Sequence, residues 1–444
     1  MNSILLTEYQ CAQIEARFLS ELDVETVLLI SGSVTKQGGG NRFVVRDLLV
    51  PEAAAYSRRT RSAAELSSEY LGPVIRRLRS EHGFVGFIHS HPGSTAPNFS
   101  AFDNQGEAML APFLQRQFGS TAHVSMIFGT EAWKARQIGT SAPVRVLRVG
   151  RHITELTASE PSSINMLHDR QVQVFGIEGQ RLIQRLRFSI VGAGGTGSVV
   201  AQMLAYLGAK YLRLVDFDSV DATNLNRLIG ARPADVGKLK VEVVAAHLHA
   251  IAPDCVIEPV VGDVTNSDVA LGLLETDVIF GCTDSHGSRA VLNQLAYQYY
   301  APCFDTGVSI HASNDRVVRI TARAQMLSPG LGCLTCGALL DPDEVRRDLM
   351  TPAQRRADPY FIGQRVPQPA VVSINSTAAS LSVTMALGAI SGFPVTARLQ
   401  LYDAVLGAVR SAQIGSVADC VVCSERGALG RGRSWDLPTK LQTH

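Results

Sequence analysis

Charge is scarce in this chain of 444 residues: Asp, Glu, Lys and Arg together make up 18% and leave a net charge of +1. A surface so nearly neutral excludes nucleic-acid binding through a basic face. The opening Met1-Asn2-Ser3-Ile4-Leu5-Leu6 lacks both a basic region and a long apolar run, so no secretory signal is expected. Residues 370–397 carry no charge at all, yet Ser373, Asn375, Ser376, Thr377, Ser380, Ser382 and Thr384 make them too polar for a membrane span. A buried helix is expected there, in a soluble, cytoplasmic protein without membrane contact. Eight cysteines in a chain of this length do not make a disulfide framework.

What the chain does contain is concentrated in residues 187–240. Arg187-Phe188-Ser189-Ile190-Val191 reads as a short buried strand that runs into Gly192-Ala193-Gly194-Gly195-Thr196-Gly197 and an apolar helix over 198–207. Gly192, Gly194, Gly195 and Gly197 allow a tight turn and close backbone approach, so that phosphate can sit on the helix N-terminus. A second strand over 211–215 ends in Asp216-Phe217-Asp218, where a carboxylate can hold a ribose hydroxyl. Taken alone, the pattern serves a dinucleotide redox enzyme equally well. Asn224-Leu225-Asn226-Arg227 and then Lys240, thirteen residues beyond the arginine, decide between the two. Hydride transfer has no use for an Arg and a Lys aimed at the phosphates, whereas expulsion of pyrophosphate builds negative charge that they would stabilise. Either residue alone would read as solvated surface charge. Cys282-Thr283-Asp284 closes a further strand over 277–281 and offers a carboxylate for magnesium.

With these motifs in this order, residues of roughly 165–425 resemble the ThiF-type, ubiquitin-activating adenylyltransferase family. The resemblance implies ATP contacts at Gly195, Asp216, Asn224, Arg227 and Lys240, and a magnesium-binding role for Asp284. It also implies a homodimer, in which Arg170 of a leading helix (Asp169-Arg170-Gln171 through Glu178-Gly179-Gln180) reaches across to the second ATP site. The strongly charged segment 338–368 would cross over the tail of a ubiquitin-like protein; on charge alone it reads equally as a solvated insertion. Many such relatives carry a thioester cysteine in this region, but no cysteine occurs between Cys336 and Cys420, and the matching stretch reads Gln364-Arg365-Val366-Pro367-Gln368-Pro369. Cys303 is a poor substitute.

Cys333-x2-Cys336 and Cys420-x2-Cys423 are separated by 83 residues. Two such pairs supply the four thiolates of a tetrahedral structural zinc, which would here staple distant segments; a redox Cys-x2-Cys is the alternative.

A second chemical site lies near the N-terminus. A strand over 84–88 delivers His89-Ser90-His91-Pro92, and two histidines at i and i+2 on a strand point the same way, as two ligands of one metal must. Ser100-Ala101-Phe102-Asp103 follows with a third ligand, leaving a fourth position open, as in catalytic zinc sites. The segment resembles the JAB/MPN (JAMM) metalloprotease family. That resemblance implies zinc ligands His89, His91 and Asp103, with Glu25, at the head of the strand over 25–32, as general base. Glu21 is its competitor. Ser100 would donate to the oxyanion, although its spacing from His91 is one residue longer than the family pattern.

The expected fold class is α/β: a JAB/MPN metalloprotease domain over 1–155, a linker over 156–164, and a Rossmann-like, doubly wound ThiF-type domain over 165–444 with zinc knuckles and a loose basic tail from 427. Residues 1–20 read as an amphipathic helix, 41–50 as a strand, 62–80 as a helix, and 123–128, 132–138 and 143–149 as the remaining strands of the first domain. Strand–helix alternation, with a further strand over 255–261, predicts a parallel sheet in the second. The combined expectation is a bifunctional enzyme using ATP, Mg2+ and Zn2+. It would adenylate the C-terminal Gly of a ubiquitin-like protein and cleave that protein's precursor or conjugates, with a conjugating-enzyme-like protein as a further partner. Sulfur-carrier activation with an associated peptidase is the alternative, and a non-enzymatic scaffold binding ubiquitin-like proteins is a third class.

Overall fold

The computed structural model describes residues 2–37, 39–81, 83–157, 165–313, 316–351, 354 and 369–440. They form two compact units: Met1–Pro161 with Gln298–Tyr300 and Ala428–Asp436, and Ser162–Tyr297 with Ala301–Gly427 and Leu437–His444. Most of the expected linker, from residue 158, lies outside the described residues, as does nearly all of 352–368.

The first unit contains β1 (Ser3–Thr7), α1 (Glu8–Leu19), β2 (Val27–Gln37), β3 (Gly40–Leu49), β4 (Tyr56–Arg59), β5 (Ala64–Leu66), α2 (Ser68–Glu81), β6 (Phe84–Ser90), α3 (Ala101–Phe118), β7 (Val124–Phe128), β8 (Lys134–Gln137), β9 (Arg145–Val149) and β10 (Ile153–Glu155). Eight strands form one sheet in the order β10–β9–β1–β3–β2–β6–β7–β8, and β4 and β5 pair separately. Three sequence expectations need correction. Residues 1–20 are not one helix, because β1 lies parallel between β3 and β9. Ile4, Leu5 and Leu6 are all fully buried, and a strand covered on both faces shows no alternation to betray it. The helix starts only at Glu8, where Thr7 and Gln10 form a capping box. The helix expected from residue 62 begins at Ser68, since β5 takes the intervening residues, and β10 follows the strand expected to be last.

The second unit contains α4 (Asp169–Arg185), β11 (Phe188–Val191), α5 (Gly195–Tyr206), β12 (Tyr211–Asp216), α6 (Lys240–Ile251), β13 (Val256–Val261), α7 (Ser267–Gly272), β14 (Val278–Gly281), α8 (His286–Gln298), β15 (Cys303–Ser313), β16 (Arg316–Leu327), α9 (Pro342–Leu349), α10 (Val372–Ile390), β17 (Leu399–Asp403) and β18 (Ala408–Ser411). The sheet order is β13–β12–β11–β14–β15–β16–β17–β18. The expected parallel sheet is present from β13 to β15, but β16, β17 and β18 extend it antiparallel. Only two residues separate β15 from β16, too few for the crossover that a parallel pairing requires. The charge-free stretch forms α10, whose Ala378, Ala379, Ser382, Ala386 and Ala389 are buried against α5, β15 and β16. Small side chains let the helix approach closely, and Ser382 Oγ meets Thr306 Oγ1 at 3.0 Å. Among the described residues, no helix is long and apolar enough to cross a membrane. The tail also departs from expectation: Ala428 is fully buried, and Gln298 Nε2 donates to the Gly432 and Trp435 carbonyls at 2.5 and 2.6 Å.

One buried histidine of the first unit makes the fold pH-sensitive. Burial pushes the His123 imidazole down from 6.5 to about 4. Its Nδ1 accepts from the Val85 N–H at 3.1 Å, a bond that protonation would break. The unfolded chain takes up this proton at a higher pH than the folded one, so the contribution is intact above 6.5 and lost as pH falls toward about 4. Urea titrations across that window should show the unfolding midpoint falling with acidification, and His123→Gln, which cannot take up the proton, should flatten the trend. An unchanged slope in the variant would place the acid sensitivity elsewhere.

Candidate functional site

Two constellations of potential metal-binding or catalytic side chains come together in the structure, one in each unit, and the glycine loop forms a third site.

In the first unit the register of β2 against β6 pairs Val27 with His89. Continuing that antiparallel register by two residues sets Glu25 opposite His91, on the same side of the sheet as His89. His89 Nε2 and His91 Nε2 are 3.1 Å apart, His89 Nε2 is 3.1 Å from Asp103 Oδ1, and His91 Nε2 is 3.6 Å from Asp103 Oδ2. Donors about 2.0–2.1 Å from a tetrahedral zinc would lie about 3.3 Å from one another, so the three residues fit that ion. The Glu25 carboxylate stands 3.9 Å from His91 Nε2, and burial pushes it above the usual carboxylate range. Asp103 is held below that range: burial opposes the shift, but hydrogen bonds from His89 and His91 outweigh it. Ser100 caps α3, its Oγ accepting from the Asp103 N–H at 3.1 Å while Asp103 Oδ2 accepts from the Ser100 N–H at 2.6 Å. Its own O–H is not consumed by that cap and can still donate. Glu21 is turned to other work. It pairs with Arg17 at 2.7 Å and with Arg59, and accepts from the Thr26 hydroxyl.

In the second unit, β11 ends at the glycine loop, between β12 on one side and β14 on the other. This is the topological switch point, the place where open α/β sheets bind ligands. Gly192 has a φ of 93°, and a Cβ there would lie 2.6 Å from the Cys282 carbonyl oxygen; one at Gly197 would lie 1.8 Å from the Gly192 oxygen. Gly194 N-caps α5 without any side-chain hydrogen bond, which leaves the first N–H groups of the helix for an anion. A Cβ at Gly194 would meet nothing within 4 Å, whereas one at Gly195 would meet Asn375 Nδ2 at 2.4 Å and Arg227 Cγ at 3.1 Å. Arg227 therefore lies along the loop, held by the Thr223 carbonyl at 2.6 Å. Asp216 braces the loop, Oδ2 accepting from the Ala193 N–H at 2.7 Å and Oδ1 from the Asp218 N–H at 2.8 Å. Lys240, at the start of α6, pairs with Asp218 at 2.6 Å. Asn224 closes a capping box with Asp221. Asp284 follows β14, and the adjoining Thr283 Oγ1 is buried without a hydrogen-bond partner among the described residues, an orphan of the kind a ligand satisfies. Arg170 is exposed in the first turn of α4. The sequence motifs include Asp218 but not its pairing with Lys240, and they do not single out Asn375 or Asp221. A lone Asn in a charge-free helix was a signal for Asn375, and Asp221-x2-Asn224 was one for Asp221.

The four knuckle cysteines meet. Cys333 Sγ is 3.6 Å from both Cys336 Sγ and Cys420 Sγ, and Cys336 Sγ is 3.4 Å from Cys423 Sγ. Thiolates about 2.3 Å from a tetrahedral zinc lie about 3.8 Å apart, so a modest expansion accommodates the ion. Its neighbours, Cys423 first, draw the Cys333 thiol down to about 5, and the Val417 and Cys336 N–H groups point at sulfur at 3.3 and 3.4 Å.

The ThiF family profile matches residues 168–422, more than half of the chain, and the chain belongs to the ThiF family. It is 29% identical over 225 residues to the ubiquitin-like modifier-activating enzyme 5 of Bombyx mori, covering 48% of this chain and 50% of that protein. It is 28% identical over 272 residues to the molybdopterin-synthase adenylyltransferase of Escherichia coli K12, covering 60% of this chain and 100% of that protein. The SAMP-activating enzyme E1 of Haloferax volcanii is 28% identical over 57% of this chain and 85% of its own length. The chain thus spans about half the length of the Bombyx mori relative but all of the Escherichia coli one. Among solved structures, E. coli MccB with MccA-N7isoASN aligns over 59% of this chain and 76% of that one, at 18% identity and a TM-score of 0.48.

The two donor sets predict separable metal contents. Elemental analysis of the purified chain should find zinc at both, with His89→Ala losing one share and Cys336→Ser the other. Cys336→Ser should also lower the melting temperature of the second unit, because structural zinc contributes folding energy directly. Full zinc content in either variant would refute the corresponding site.

Proposed function

We propose that the second unit adenylates the C-terminal carboxylate of a ubiquitin-like or sulfur-carrier protein. The observation that carries this reading is Arg227 lying along Gly195 at the uncapped start of α5, a cation beside an anion-binding helix end. The N–H groups of α5 would hold the triphosphate, Asp216 would fix the loop and receive the ribose, and Asn224 would add a polar contact. A carboxylate oxygen attacks the α-phosphorus, the bond to the bridging oxygen of pyrophosphate breaks, and Arg227 and Lys240 stabilise the charge that leaves. Asp284 would hold Mg2+, which supplies further neutralisation of phosphate charge when bound. In a homodimer, Arg170 would serve the second copy's nucleotide.

The first unit reads as a JAMM-type peptidase that trims the same protein or releases it from conjugates. Zinc held by His89, His91 and Asp103 supplies Lewis acidity when bound. Glu25, pushed up by burial, accepts a proton from water and later passes it to the leaving amine, while Ser100 donates to the developing oxyanion. Cys282, which adjoins Thr283 and Asp284, and Cys303, at the start of β15, have thiols pushed well up by desolvation. That favours release of the adenylate to an acceptor from outside, whether a sulfur donor or a conjugating-enzyme-like protein.

ATP–pyrophosphate exchange tests the first half: Arg227→Ala and Lys240→Ala should each lower it about a hundredfold or more, and undiminished exchange would remove the assignment. Glu25→Gln should slow cleavage of a C-terminally extended ubiquitin-like protein by about 10²–10⁴-fold. A His89→Ala protein that still cuts would exclude the zinc mechanism.

A further inference from the structure

The antiparallel half of the second unit's sheet carries α10 on one face; the opposite face holds a cavity of about 370 Å³. Its walls follow from register. Gly307 pairs with Arg323, Arg323 with Leu401, and Leu401 with Arg410, while Ser309, Thr321, Asp403 and Ala408 make the adjoining row. Side chains two residues apart on a strand share a face, so Arg319 joins Arg323 and Arg410 there, and Arg289 enters from α8.

The charges do not balance. Asp305 is buried and pairs with Arg323 and, at 3.6 Å, with Arg289. Arg289 Nε is itself buried without a hydrogen-bond partner among the described residues. Asp403 also lines the cavity, its Oδ1 accepting from the Val405 and Leu406 N–H groups at 3.0 and 3.1 Å, so four guanidinium groups (Arg289, Arg319, Arg323 and Arg410) face two carboxylates. Arg319 and Arg410 are exposed and have no ion pair among the described residues. The cavity therefore presents a surplus of guanidinium donors suited to carboxylates. It also adjoins the nucleotide crevice through the sheet, since Asp305 pairs with Gly281 at the end of β14, two residues before Gly307.

We propose that this cavity reads acidic side chains of the polypeptide whose C-terminal carboxylate is adenylated, a few residues upstream of that terminus. This rests on the adenylation reading for the identity of the polypeptide. A substrate lying extended from the switch point toward β18 would bring carboxylates onto Arg319 and Arg410, while Arg289 and Arg323 form the floor.

The test uses the full chain and three fluorescein-labelled peptides of ten to twelve residues ending in Gly-Gly, with Glu, Gln or Lys at the upstream positions. Fluorescence anisotropy should show the Glu peptide binding about tenfold or more tighter than the Gln peptide, with the Lys peptide weakest. Arg319→Glu and Arg410→Glu should each weaken the Glu peptide about fivefold or more while leaving affinity for ATP unchanged. Equal binding of the Glu and Gln peptides, no binding of any, or variants that keep the full preference would overturn the proposal. ATP–pyrophosphate exchange separates the two readings: exchange with no acidic preference sinks the cavity alone, and an acidic preference in a chain that never exchanges sinks the adenylation reading alone.

Discussion

The second unit depends on a contact that admits no side chain. Gly197 sits so close over the Gly192 carbonyl that a Cβ would fall 1.8 Å from its oxygen, and Gly192 in turn abuts the Cys282 carbonyl. Any other residue at these positions would push α5 away from β11 or β11 away from the turn after β14. Because the gap is closed, the first turn of α5 opens directly onto the crevice at the strand ends, and its uncapped N–H groups keep a fixed position there. Asp216 extends the same constraint sideways by binding the loop at Ala193. Arg227 and Asn375 then pack against Gly195, which ties the cation and α10 to the loop geometry. A site assembled in this way needs little reorganisation when charge moves to the leaving phosphate, and that is where preorganised dipoles contribute most.

Motifs with a fixed backbone geometry are legible in the sequence itself. The glycine loop, His89-x-His91 on a strand and the paired Cys-x2-Cys each specify direction as well as chemistry, and each set is found together in space. Glu25 is legible for a less direct reason: its place opposite His91 follows from the register of β2 on β6, and the competing Glu21 is drawn off by Arg17 and Arg59. Features that depend on which strands become neighbours are not legible. The triple run Ile4-Leu5-Leu6 fits a buried strand or a buried helix equally, and only its place between β3 and β9 decides. Lys240 reads in the sequence as reaching for phosphate; the fold sets Asp218 beside it, a partner that sequence spacing does not advertise. Arg319, Arg323 and Arg410 look like scattered surface charges until two antiparallel pairings line them up.

The cysteines bear on how the proposed chemistry could end. Four of the eight close on one another in the knuckle. Burial raises the Cys11 and Cys255 thiols to about 12 and about 11, and raises Cys282 and Cys303 as well. A relay cysteine must be a thiolate with access to the acyl group; desolvation raises all four thiols, and Cys11, Cys255 and Cys303 are buried as whole residues as well. The knuckle sulfurs do have a lowered pKa at Cys333, but using one as a nucleophile would dismantle the donor set that joins residues so far apart in sequence. The raised thiols favour an external acceptor over an internal sulfur for an acyl-adenylate formed on this chain. Such an adenylate must stay shielded from water until an external nucleophile arrives, so a tight grip on the polypeptide upstream of its terminus becomes a requirement of the chemistry. An arginine-lined face beginning two residues from the strand end that borders the nucleotide crevice is placed to provide that grip, because holding the tail there keeps the activated carbonyl in the crevice without occupying the approach of the acceptor.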